Sequence, residues 1–448
     1  MSGWYLAPKS YQGLLNIGEC SLSVSFNAGI DQSGDVKITL QPIPLNSDSR
    51  FIEDHYYEQK TQFAEFSLSG DDGNGATFTS TKILVYSPGH FFSDSLPASV
   101  TPRIGCMQCS FIEPSTEGSS RGAKLLLRDF KNYFPLRAHT PLGEVEMTGA
   151  NALEVPASLT GSLAVAAPAD IGSFSQWKIC TSELFTHVCS VMSFAQGGRL
   201  AAPVTKWLNE DFTEIEVTSI LEMRPGAMAP FSPFDFATIF QTAVNTYFDR
   251  QIDAKDLRIA IEWFNMPSVY REGKLLAAMT VLEHLISASL SRRDLEIRSK
   301  TQFRDLRKEL LAVVEKKIAE WTQDPQLRAT EMDAIRDKFE DLNRRSLKQK
   351  IDLLASRWGV DLSDLEPEEI ASAKRARDHI VHTGRFEFPA GVSGDLMDYV
   401  RLTREIVVRF ILAALKFEGT YTSYVGGAHN RHFVKGISLD AKFHRETS

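Results

Sequence analysis

The two halves of the chain differ in how hydrophobic residues are spaced. Up to about residue 221, apolar side chains mostly alternate with polar ones or form short β-branched and aromatic runs separated by Gly, Asn, Asp, Ser or Pro. This pattern predicts β-strands in segments 34–43, 61–70, 76–87, 104–113, 143–149, 162–169 and 205–221. Segment 174–197 is the exception, because its apolar residues recur at the spacing of an α-helix.

From residue 233 onward, apolar residues recur every three or four positions, as they do in amphipathic helices. The predicted helices are 233–250, 254–265, 271–291, 301–322, 329–358, 367–383 and 393–416. Three prolines and a glycine in segment 224–234 indicate the boundary between the halves. We therefore predict an α+β protein in which a β-rich domain over 1–228, a sandwich or open barrel, precedes an all-α domain over 229–448.

Charge is divided unequally between these halves. The chain of 448 residues has a formal net charge of −8; residues 1–225 hold 15 Lys and Arg against 24 Asp and Glu, and residues 226–448 hold 34 against 33. A surface for nucleic acid in the second half must therefore be a local patch. The sequence also has no apolar run of the roughly 18 residues a membrane helix needs, and no signal-peptide pattern at its start. We expect a cytoplasmic protein without membrane contact.

The cysteines do not form a recognisable metal motif. Cys106 and Cys109 make a single CxxC, whereas a structural zinc site normally takes four ligands. Their surroundings predict a strand, on which residues three apart face opposite sides. We interpret both as ordinary thiols and predict no metal site.

The candidate chemistry lies in RARDHIVHTG, residues 375–384. Pro367 suits the first position of the helix that carries it, and Gly384 suits the residue that ends it. Within it, Arg377 is followed directly by Asp378 and, after four intervening residues, by His382. A guanidinium can hold a phosphate, and an imidazole can transfer a proton near neutral pH.

An ideal helix does not direct both groups at one atom, because His382 lies about 140° around the axis from Arg377. Either the last turn distorts near Gly384, or a second copy completes the site across a two-fold axis. Arg375, His379 and His382 do share a face, so His379 is an alternative working histidine. The simplest alternative is that all these residues are exposed polar groups on a surface helix.

This pattern resembles the HEPN superfamily, whose nuclease members carry Arg-x4–6-His at the end of a helix. The context RDHIVHTG is similar to the ApeA-like branch of bacterial anti-phage proteins, with Asp378 where Asn is commoner. An upstream Leu-Glu helix is also typical of that branch, and AAMTVLEHLISA (277–288) is similar to it, with Glu283 as the acidic residue. The resemblance covers roughly residues 230–420.

The resemblance implies a metal-independent endoribonuclease that needs no cofactor. The 2′-hydroxyl of single-stranded RNA, for which a tRNA loop is one candidate, would attack the adjacent phosphorus and leave a 2′,3′-cyclic phosphate and a 5′-hydroxyl. Arg377, Asp378 and His382 would be catalytic and shared across a homodimer or larger homo-oligomer. Glu283 would orient these groups or simply pair with Arg377 in a buried ion pair. From the helix geometry, Arg375 and His379 are further supporting candidates.

The expected role is abortive anti-phage defence, in which the β-rich domain restrains the nuclease or senses a phage-encoded trigger. A non-catalytic module that binds nucleotide or protein, and a toxin restrained by a separate antitoxin, are the alternatives. Additional RNA contacts are expected from arginines in the charged segment 292–350, as opposed to a merely solvated helical hairpin: Arg292, Arg293, Arg344 and Arg345.

Overall fold

The computed structural model describes residues 4–17, 19–44, 52, 66–87, 89–93, 96–115, 121–151, 157–220, 228–249, 253–388 and 394–434. Parts of the predicted elements and boundary lie outside these ranges, namely 61–65, 221, 224–227, 250 and 393. The chain forms two compact units, Met1–Tyr247 and Phe248–Ser448. The first is rich in strands and the second in helices, which confirms the predicted order of the two classes.

The strand-rich unit is built on one twelve-stranded antiparallel sheet with the order β11-β12-β13-β10-β14-β15-β9-β6-β5-β1-β2-β3. A smaller sheet has the order β4-β8-β7. The strands are β1 (Trp4–Ile17), β2 (Cys20–Asp31), β3 (Val36–Leu40), β4 (Ile43–Pro44), β5 (Phe66–Asp71), β6 (Thr77–Ser87), β7 (His90–Ser93), β8 (Leu96–Val100), β9 (Arg103–Pro114), β10 (Gly122–Arg128), β11 (Leu136–Thr140), β12 (Gly143–Thr148), β13 (Leu159–Ala166), β14 (Ala201–Leu208) and β15 (Phe212–Thr218).

The large sheet curls around an aromatic core. Tyr11, Phe26, Phe78 and Phe111 are fully buried, and successive ring centroids lie 5.3, 5.4 and 5.0 Å apart. At the far end of the curl, Arg128 of β10 donates to the Ser33 carbonyl at 2.7 Å and to Asp35 at 3.0 Å in the β2–β3 turn. The turn that leads into the edge strand β3 is thereby fastened to β10, which is not its neighbour in the sheet.

One long helix, α1 (Phe174–Ala195), packs against this sheet. Ser173 caps its start by accepting from the Gln176 N–H. Trp177 and Phe185 lie beside the Trp207 ring of β14, at centroid distances of 6.4 and 6.3 Å. The helix predicted over 174–197 is therefore confirmed, and it supplies the apolar side chains that cover β14.

The second unit is a helical bundle. Its helices are α3 (Ala254–Phe264), α4 (Arg271–Ser289), α5 (Lys300–Trp321), α6 (Pro325–Asp341), α7 (Leu347–Trp358), α8 (Pro367–Thr383) and α9 (Leu396–Ala414). Helix α2 (Phe236–Phe248) precedes them in the chain, and all but its last residue belongs to the first unit. α4 and α9 supply most of the buried side chains, as the almost wholly apolar 275–290 predicts. Of the helices described, none is both long enough and apolar enough to span a membrane.

Three predicted elements are wrong in detail. Segment 329–358 is two helices, because Ser346 and Gln349 form a capping box that starts α7 anew. Segment 205–221 is not one strand but most of a hairpin, whose strands β14 and β15 are antiparallel neighbours. The C-terminal domain is not all-α, because the hairpin of β16 (Gly419–Ser423) and β17 (His429–Phe433) follows α9.

The two cysteines of the CxxC do not face opposite sides of β9. The register against β6 is irregular here, and Met107 and Gln108 are exposed in succession. This bulge restarts the alternation, so Cys109 lies in the core and Cys106 packs against the same core. A hydrogen bond between the thiols, reinforced by burial, raises the pKa of Cys109.

Candidate functional site

Helix α8 has the bounds that its sequence predicts. Pro367 occupies its first turn, and Gly384 ends it with a φ of 80°, in the left-handed region where glycine is favoured. The Gly384 N–H donates to the Ile380 carbonyl at 2.7 Å, so the helix stays regular to its end. A buried apolar stripe packs α8 against the bundle, so its other faces can carry polar side chains; the members of the stripe are Ile370, Ala373, Ala376 and Ile380.

Arg377 lies beside this stripe and is held by carboxylates on two helices. One guanidinium nitrogen donates to Glu283 of α4 at 3.2 Å, and the other donates to Asp378 at 3.2 Å. The Arg377 side chain is 31% exposed and the Glu283 side chain 46%. The predicted contact between Glu283 and Arg377 therefore exists, although it is not buried. Two charge-assisted bonds restrict the guanidinium at the edge of the bundle.

Asp378 lies between two cations. Its second carboxylate oxygen accepts from Lys374, one turn earlier on α8, at 2.5 Å. Partial burial opposes ionisation of this carboxyl, but the bonds and charges of Lys374 and Arg377 outweigh it and hold the pKa of Asp378 below its usual value. Asp378 is therefore a carboxylate at neutral pH, which suits an orienting group better than a proton carrier.

His379 and His382 are both exposed on α8. Because the helix is regular through Thr383, its last turn shows none of the distortion that would bring His382 toward Arg377. The two side chains therefore leave the axis about 140° apart within one copy. Arg375 is also exposed and donates to the Ser372 hydroxyl at 2.8 Å, so the predicted polar face of the helix is solvent-facing.

The four arginines predicted to assist RNA binding lie on two segments that the fold brings together. The Ile297 N–H donates to the Asn343 carbonyl at 2.8 Å, which fastens the turn after α4 to the turn after α6. Each of three arginines already has a partner: Arg292 pairs with Glu296 at 3.5 Å, Arg344 pairs with Asp341 at 3.1 Å, and Arg345 donates to the Asp294 carbonyl at 3.0 Å. The surrounding α5 and α6 are mostly solvent-exposed, as a solvated hairpin predicts.

An aromatic cluster next to α8 escaped the sequence analysis. Phe386, three residues after the last residue of the helix, meets the His379 ring edge-on at 6.0 Å. Phe388 and Tyr399 extend the cluster to α9. The alternation in RFEF (385–388) is the signal that would have pointed to it, because it places both phenylalanines on one side of the chain.

A buried ionic network stabilises the start of α8, and the sequence pattern does not predict it either. Arg409 of α9 is 2% exposed and contacts Glu405, Tyr421 and Asp364 at 2.7 to 3.2 Å. Asp364 lies just before α8, and the hydrogen bonds of Arg409 and Arg431 hold its pKa well below the usual range despite partial burial. This network ties the loop before α8 to α9 and to the terminal hairpin.

Within the residues described, no three His, Cys, Asp or Glu side chains are grouped so as to hold a metal ion. Compared with models of protein families, with curated proteins and with solved structures, the chain has no match. The case for a function therefore depends on the residues of α8 and their surroundings.

Proposed function

We propose that this protein is a metal-independent endoribonuclease of the HEPN type in which Arg377 and His382 carry the reaction. The observation that supports this most is the arrangement on α8. A guanidinium fixed by carboxylates of two helices lies one and a half turns from a solvent-facing imidazole at the end of the same helix. Fixed positive charge and an accessible proton carrier are the two groups that RNA transesterification requires.

In the proposed reaction, the ribose 2′-hydroxyl attacks the adjacent phosphorus in line. His382 accepts the hydroxyl proton, the P–O5′ bond breaks, and the departing 5′ oxygen takes up a proton from an imidazolium. Arg377 binds the non-bridging oxygens and offsets the charge that develops on them. The products are a 2′,3′-cyclic phosphate and a 5′-hydroxyl, and neither metal nor redox cofactor is needed for the atoms to balance.

The regular geometry of α8 favours a site built from two copies. Within one copy, Arg377 and His382 point in directions about 140° apart. A two-fold axis beside α8 would bring the arginine of one copy opposite the histidine of the other, and each copy would contribute equally. The exposed faces of Arg375, His379 and His382 leave that side of the helix open to such a partner.

We further propose that the nuclease serves anti-phage defence and that the strand-rich unit restrains it. The acidic excess of residues 1–225, 24 acidic against 15 basic side chains, motivates this, because negative charge opposes RNA binding. A chain lacking residues 1–228 should be more toxic to bacterial cells than the full-length protein. If the shortened protein, present at the same level, were equally toxic or less toxic, the strand-rich unit would not restrain the nuclease.

A non-catalytic binding module is the second candidate. The charge of Arg377 is already offset by Glu283 and Asp378, as in an arginine with a structural role. Such a module would bind its ligand without cutting it, and Arg377 would then matter for stability only.

Incubation of the purified full-length protein with total RNA in EDTA separates these candidates. Cleavage should persist in EDTA and fall at least about a hundredfold in Arg377→Ala and His382→Ala, because general acid–base and phosphate-binding groups contribute on that scale. Arg401→Ala, which removes a partly exposed arginine of α9 that pairs with Asp398, is the matched control and should cut normally. Full activity in His382→Ala combined with loss in His379→Ala would assign the proton-transfer role to His379. No cleavage by either the full-length wild type or the chain lacking residues 1–228 would favour the binding module.

A further inference from the structure

The segment that follows α8 presents aromatic rings beside the candidate site. From Arg385 to Phe388 the side chains alternate between exposed and partly buried, and those of Arg385 and Glu387 are 74% and 68% exposed. Phe386 and Phe388 are only partly exposed. Their rings therefore lie toward the bundle, and each keeps some surface open to solvent.

These rings form one continuous cluster with α8 and α9. Phe386 lies 4.9 Å from Phe388 and 6.2 Å from Tyr399, and its edge-on contact with His379 is 6.0 Å. Phe388 lies 6.0 Å from Tyr399. Centroid distances of this size are those of interacting aromatic pairs, so the position of Phe386 is fixed by three neighbours.

The backbone around the cluster is also held in place. The Thr383 hydroxyl contacts the His379 carbonyl at 2.9 Å and the Arg385 carbonyl at 2.7 Å, which fastens the segment to the last turn of α8. On the other side, a Cβ built on Gly394 would lie 2.7 Å from the Phe388 ring, so glycine allows the chain to pass close by. Because the Phe386 ring is already fixed and is partly exposed, a ligand can pack against it with little loss of side-chain conformational entropy.

We propose that Phe386, supported by His379 and Tyr399, is a stacking subsite for an unpaired nucleobase of the substrate. The inference deepens the proposed function and rests on it. Every base has a π face, so an aromatic platform binds single strands with little regard to sequence. Arg375 shares the helix face of His379, and Arg385, which pairs with the exposed Glu387 at 3.3 Å, is the residue before Phe386, so two cations for the RNA backbone are near the ring in sequence or on the helix. The substrate class is therefore RNA with accessible, unstacked bases.

Binding of oligonucleotides that cannot be cut tests this subsite without depending on catalysis. Fluorescence anisotropy with the full-length protein would compare a short 2′-O-methyl oligouridine with the same strand carrying abasic sites. We expect the wild type to bind the base-bearing strand roughly five- to fiftyfold more tightly, as stacking of one or two bases would give. Phe386→Leu should remove most of that difference, and Phe386→Trp should keep it.

Trp321→Leu, an exposed aromatic of α5, is the control and should leave the difference unchanged. The inference is overturned if the wild type binds both strands equally or binds neither, or if Phe386→Leu preserves the difference. Cleavage of natural RNA by the same preparations separates this from the proposed function. Base-dependent binding through Phe386 without cleavage by either the full-length chain or the chain lacking residues 1–228 would contradict only the nuclease. Cleavage without base-dependent binding would contradict only the subsite.

Discussion

The guanidinium of Arg377 is shared between two carboxylates, and in the proposed nuclease this would determine how it acts on RNA. With Lys374 included, the cluster holds two positive and two negative side chains and is close to neutral. A phosphate therefore competes with Glu283 and Asp378 for the guanidinium. The carboxylates orient Arg377 but also weaken its attraction for a polyanion. Their removal should therefore strengthen RNA binding and slow the catalytic step.

Glu283→Gln tests that opposition. The loss of one negative charge should lower KM for RNA a few-fold, while the less restricted Arg377 should lower kcat about tenfold. The melting temperature should hardly change, because an ion pair this exposed contributes about 0–1 kcal/mol. Steady-state cleavage kinetics and a thermal melt measure all three quantities.

Glu272→Gln, in the first turn of the same helix, is the control and should behave as wild type. Unchanged kinetics in Glu283→Gln would show that the contact with Arg377 has no positioning role. A fall in kcat explained entirely by a lower melting temperature would show that its role is structural.

At the scale of elements, the sequence predicts α8 well because its end signals and its apolar stripe agree. Pro367 and Gly384 bound the helix, and Ile370, Ala373, Ala376 and Ile380 are buried as the spacing requires. The break between α6 and α7 was missed although Ser346 and Gln349 have capping-box spacing, because helical periodicity continues across it. The bulge in β9 was unpredictable, since it depends on register against β6.

The sequence also gives no sign of the Arg409 network, because its members come from α9, the loop before α8 and the terminal hairpin.

Arg409→Met should lower the free energy of unfolding by about 3–5 kcal/mol, because it leaves the Glu405 carboxylate buried without its counter-ion. Adding Glu405→Leu should recover much of that loss, since the buried charge is then gone. Chemical denaturation measures both variants.

Arg401→Met, whose arginine pairs with Asp398 on the surface of the same helix, should cost less than about 1 kcal/mol. If Arg409→Met cost no more than this control, the network would not stabilise the helical unit. If the double variant were less stable than either single variant, the loss would come from packing and not from an unpaired charge.

At the scale of the whole molecule, the order of a strand-rich and a helical unit followed from hydrophobic periodicity, and the structure confirms it. Hydrophobic periodicity does not predict the continuous, curled sheet, because strand order depends on contacts between residues far apart in sequence, such as that of Arg128 with the β2–β3 turn. The helical motif makes Arg377, Asp378 and His382 candidates, and their catalytic roles stay predictions; it does not point to Phe386, whose position depends on a turn after the helix. Shared sites and restraint by the first unit stay predictions.

Mixing two inactive variants of the full-length protein tests whether paired copies share Arg377 and His382. If each site takes its arginine from one copy and its histidine from the other, re-equilibrated Arg377→Ala and His382→Ala chains should form mixed dimers with one intact site. Half of the dimers are then mixed and half of their sites intact, so RNA cleavage in EDTA should return to about a quarter of wild type. A mixture as inactive as its components, while wild-type protein cuts RNA to 2′,3′-cyclic phosphate ends, would contradict the shared site.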